Sequence, residues 1–307
     1  PYDVAGWTLP LQMGVEYDAA WDIRDLEKDK VTLKRVTYIN QVRAALNLDQ
    51  TGTAFKGAKY PLKSVPRVAL YRGSTASMDE GWTRLLFDTF NIVYRRLSDA
   101  DARTANFVCE RNVTPGPGVD CDAVVLPADS ENTIVKGLSA DRYPTEFAGG
   151  IGEEGVENLK KYVADGGKLI CFDDSCEIVI KRFGLPIRNV LAGLKRSEFY
   201  NPGSIVALDV DIRQDLAKGL KKMTPAYFNS SSAFEIAADA RVKVIARYAA
   251  KDALLSGWML GEKYLNGKPA LVETSYGKGK IVLFAFRPQH RGQSWATFPF
   301  IFNALEK

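Results

Sequence analysis

Residues 65–307 predict a doubly wound α/β domain with a mostly parallel sheet, preceded over residues 1–64 by a small, partly β region. Three observations carry the prediction. Short apolar runs alternate with stretches of helical periodicity, the rhythm of a parallel sheet covered by helices on both faces. The first run, 67–71, lies between Pro66 and a Gly/Ser/Thr loop and is apolar after Arg67, as a strand buried on both sides should be. The joints carry cap and turn residues: Ser77 with Glu80, Gly166-Gly167, Gly184 with Pro186, and Gly277-Lys278-Gly279.

Taken in order, residues 2–15 are apolar and aromatic. Trp7, Leu9, Leu11 and Met13 alternate across two faces as in an extended strand. Residues 31–46 mix β-branched residues with charges and turn helix-like at 40–46, and 49–63 read as loop. After strand 67–71, Ser77 and Glu80 form a capping box that opens a helix. Trp82, Leu85, Leu86 and Phe90 are expected to face the sheet. Strands follow at 91–96 and at 122–127, the latter stopped by Pro127. A second unit opens at 149–152. Val156, Leu159 and Val163 mark one helix face, 168–172 forms a strand, and a helix spans 176–183. Residues 187–240 are less periodic and are expected as an insertion over the sheet edge. Strands at 242–249, 269–276 and 280–286 and an apolar helix at 295–305 close the chain.

The 307 residues carry 41 Lys and Arg against 37 Asp and Glu, a net charge of +4 spread along the chain. No basic block is interleaved with aromatics, so nucleic acid is not an expected partner. No apolar run reaches the roughly 20 residues of a membrane helix. A start at Pro1 without a leader suggests a trimmed, processed or partial polypeptide. Cys109 and Cys121 flank the turn-rich stretch 110–118. They either close a short loop in an oxidising compartment or stand as two free thiols. Asn112-Val113-Thr114 and Asn229-Ser230-Ser231 fit the glycosylation triplet.

In open α/β sheets, chemistry gathers at the carboxyl ends of the strands, here the loops 72–79, 128–132, 173–177 and 287–294. The order of elements resembles the class I glutamine amidotransferase-like superfamily, of flavodoxin-like architecture, over about four-fifths of the chain. That family places a nucleophilic Cys on a glycine-flanked turn between strand and helix. Here the turn reads Asp173-Asp174-Ser175-Cys176-Glu177 and lacks the glycines. Where the family ends a strand in Gln-Phe-His-Pro-Glu, this chain has Ala285-Phe286-Arg287-Pro288-Gln289. Arginine stays protonated and cannot act as base, and glutamine is no carboxylate. The resemblance therefore implies the scaffold without its triad. A shifted dyad of Cys176 with His290, the only histidine in the chain, is the residual thiol-hydrolase reading.

Particular phrases look closer to one group. The run 2–15, the run 149–155, 185–191 and 254–261 resemble segments that follow the catalytic domain of bacterial zinc carboxypeptidases of the carboxypeptidase A type. The resemblance implies a non-catalytic accessory domain, secreted or periplasmic, whose partner is the peptidase domain or a protein or peptide substrate. Zinc itself does not carry over. Its site needs a His-x-x-Glu pair and a later His, so no metal and no other cofactor is expected in this segment. Other candidates are an anion or sugar site gathering Arg72, Arg287 and Arg291 with the Gly150-Ile151-Gly152 loop, and a hard-cation site of Asp173 and Asp174 with Asp129.

Overall fold

The computed structural model describes residues 11–12, 66–109 and 119–306. The expected N-terminal region therefore lies outside the described residues, except that Leu11 and Gln12 are helical rather than extended.

The first half of the domain runs β1 (Val68–Tyr71), α1 (Met78–Thr89), β2 (Tyr94–Leu97), α2 (Asp99–Arg103), β3 (Val108–Cys109), β4 (Val119–Asp120) and β5 (Ala123–Leu126). A π-helical turn (Asn132–Lys136) leads to α3 (Gly152–Ala164), β6 (Lys168–Phe172), α4 (Ser175–Arg182) and β7 (Ile187–Asn189). Then come β8 (Ser204–Val210), β9 (Met223–Phe228), β10 (Phe234–Ile236), β11 (Val242–Tyr248) and β12 (Leu254–Gly257). The chain closes with β13 (Pro269–Tyr276), β14 (Gly279–Phe284) and α5 (Phe298–Leu305).

Strands β2, β1, β5, β6 and β14 lie side by side in that order, every pair parallel. Counting only these five gives the order 2-1-3-4-5, which is the flavodoxin-like doubly wound topology. The apolar character of the strands follows from this position. Val68 and Leu70 join the core on one face with Phe172, Phe284 and Phe300. Their neighbours Ala69 and Tyr71 join the core on the other face with Val124, Leu169 and Val163.

Beyond β14 the sheet continues antiparallel through β13, β11 and β8, which carries β9 on its far side and β12 beside β11. This corrects the expectation for 187–240: that stretch is not laid over the sheet edge but supplies β8 and β9 to the sheet itself. β7 and β10 pair separately. The α1 face also differs from the expected one. Thr83, Leu86 and Phe87 are buried, whereas Leu85 is 52% exposed. Ser77 accepts the Glu80 N–H at 3.2 Å, but Glu80 Oε1 is buried without a hydrogen-bond partner. A reciprocal box forms instead at α2, between Ser98 and Asp101. The closing helix begins at Phe298, after a short 3-10 turn at Trp295–Thr297. Cys109 and Cys121 form a disulfide across the β3–β4 hairpin. Among the described residues, no helix is long and apolar enough to cross a membrane.

Candidate functional site at the carboxyl ends of the parallel strands

The parallel topology brings the residues after β1, β5, β6 and β14 to one end of the sheet. The loop after β1 is tied down first: the Tyr71 hydroxyl donates to Asp99 at 2.6 Å and the Ser74 N–H to the same carboxylate at 3.1 Å. The turn after β6 is pinned by Ser175, whose Oγ accepts the Phe172 N–H at 3.0 Å and donates to Leu126 O at 3.1 Å. Between them Asp173 takes a left-handed backbone, φ 47°, with no exposed surface. That conformation is costly for a residue with a Cβ and persists where the surroundings over-determine it.

The over-determining partner is Arg287, at the end of β14. Its guanidinium reaches Asp173 Oδ2 at 2.6 Å, Asp174 Oδ2 at 3.2 Å and Asp79 Oδ1 at 3.4 Å, and donates to the Asn229 carbonyl at 2.8 Å. Ser231 donates to the same Asp173 oxygen at 2.6 Å. One arginine thus joins the first turn of α1, the β6–α4 turn and the β9–β10 loop. Asp129 completes the group: the Ser77 hydroxyl donates to it, and it feels the charges of Asp174 and Arg287. Burial pushes the Asp173 carboxyl up to about 8 and Asp79 up to about 6, against the opposing pull of Arg287. Asp129 is raised too, by burial first.

The expected dyad is not assembled. Cys176 lies in the first turn of α4, fully buried, with its thiol donating to Phe284 O at 3.2 Å and Cys171 O at 3.4 Å. Burial raises its pKa well above that of an ordinary thiol, the reverse of what a nucleophile needs. His290 stacks on Tyr227 at 3.6 Å between ring centroids and meets Trp82 edge-on at 4.8 Å. Burial and the charges of Arg291 and Arg287 lower its pKa to about 3, so it stays neutral. Gln289 is buried and turns to α1, its amide donating to Thr83 Oγ1 at 3.1 Å.

The anion pocket does not form around Arg287 either, because its three carboxylate partners already offset its charge; Arg72 and Arg291 are not among its partners. Gly150 serves packing: a Cβ there would sit 2.3 Å from Ile134 O, and its own carbonyl accepts from Arg103. The neighbouring Ile151 N–H is spent on Ile134 O at 2.9 Å, and Gly152, at φ 62°, opens α3. Asp173, Asp174 and Asp129 do come together, but among the described residues no group of three or more side chains is placed to hold a metal ion. Asp79, Asn229, Ser231 and Tyr227 were not foreseen. Asp79 had one signal, an acid in the first turn of the helix after β1, but the β9–β10 residues had none. The Asn229 triplet is part of this site, with Ser231 buried on Asp173; the Asn112 triplet lies outside the described residues.

No protein-family model and no curated protein sequence matches the chain. Solved structures with a related chain path include a cytoplasmic protein from Salmonella typhimurium LT2, at 13% identity and TM-score 0.46, covering 78% of this chain and 100% of that one. A ThuA-like protein from Bacteroides uniformis gives 12% and 0.45, covering 81% and 93%. A GMP synthase subunit from Thermoplasma acidophilum gives 11% and 0.43, covering 78% and 94%. The fold assignment stands on the strand order, and likeness of this degree adds nothing about activity.

Proposed function

We propose that this chain is a non-catalytic binding or interaction domain, built on an amidotransferase-like scaffold and accessory to a zinc carboxypeptidase. The observation that carries the first part is the exchange at the strand ends. A salt-linked Asp173–Arg287 pair stands where the related enzymes need a nucleophile and a base, and the nearby thiol is sealed and protonated. An arginine locked to three carboxylates cannot take a proton, and a thiol bonded to two buried carbonyls cannot reach a substrate. The peptidase association is supported by the sequence phrases at 2–15, 149–155, 185–191 and 254–261. The Cys109–Cys121 disulfide supports a secreted or periplasmic setting.

The test is incubation with L-glutamine and with an activated ester, following ammonia and alcohol release. No turnover above buffer is expected. Release that disappears in Cys176→Ala would restore the hydrolase reading. The peptidase link is checked in the encoding gene, where a His-x-x-Glu pair and a later His are expected in the same reading frame.

A further inference from the structure

We draw no further inference here: the strongest candidate, the apolar edge of the sheet where Leu255, Trp258 and Leu260, on and just after β12, stand 40–48% exposed beside Tyr200, carries nothing because nothing in the structure shows what covers it.

Discussion

The two ends of the parallel sheet solve the same problem, charged residues beside a buried core, in opposite ways. At the amino end Arg67 and Asp122 form a compact pair: the Arg67 Nη2 reaches Asp122 Oδ1 at 2.6 Å, Nε reaches Oδ2 at 3.1 Å, and the Arg67 N–H adds a third bond at 2.9 Å. Lys168 there donates to the carbonyls of Ala304 and Glu306 and so caps α5. These groups line a cavity of about 670 Å³ whose walls carry both signs of charge. At the carboxyl end the balance fails: several acids share one arginine, the turn is strained, and acceptors go unpartnered. This cavity is therefore not where the unusual chemistry sits. Strain and unpartnered acceptors set the carboxyl end apart, the end at which open α/β sheets gather their ligand sites.

Substitutions that separate the two ends test this contrast. Arg287→Gln should cost the most, about 3–5 kcal/mol in urea denaturation, because it leaves buried acids without their shared partner. A loss below about 1 kcal/mol would show that the cluster is not held by Arg287. Removing the disulfide as Cys109→Ala/Cys121→Ala should cost about 2–3 kcal/mol, given the short loop it closes. Asp122→Asn, at the amino end, should cost only about 1 kcal/mol, because Arg67 keeps 29% of its side chain exposed. A cost equal to that of Arg287→Gln would erase the contrast. Smallest in energy is Cys176→Ala, a small buried truncation. Its use is diagnostic: the native thiol should resist a thiol-reactive dye until the chain unfolds, and rapid labelling at pH 8 would contradict its burial.

The parallel half of the fold was legible because its strands are buried on both faces and its joints carry glycine, proline and cap residues. Strand 168–172 and the hairpin at Gly277 match the structure directly. The antiparallel extension was not legible. β8 and β9 lie where periodicity is weak, and β9 reads as an edge strand, with a proline at 225. The site was half legible. Arg287 and Asp173 could be picked out by their positions after strands, but their pairing depends on which strands are neighbours. The partners Asn229 and Ser231 come from a loop whose approach to β6 follows only from the fold. The displaced thiol misled because sequence distance from the turn cannot tell the exposed tip from the buried first turn of a helix.

The most direct test of the central claim, that Arg287 holds a buried acid cluster at the carboxyl end of the sheet, is stability against pH. Asp173 has a folded value near 8 against an ordinary 3.8, so the folded state holds a proton that the unfolded chain has already released. Stability from this group is complete below pH 3.8 and is lost as pH rises toward 8. Asp79 acts in the same direction up to about 6, and His290, neutral when folded, opposes both below its ordinary 6.5. The clean window is therefore about pH 7 to 8, above the titration of Asp79 and His290 and below the range where Cys171 and Cys176, whose folded values burial raises, begin to ionise in the unfolded chain. Urea denaturation across that window should show stability falling with pH, by at most about 1.4 kcal/mol per pH unit for one proton. The slope should vanish in Asp173→Asn. A flat or rising profile in the parent chain, or the same slope in the variant, would contradict the account.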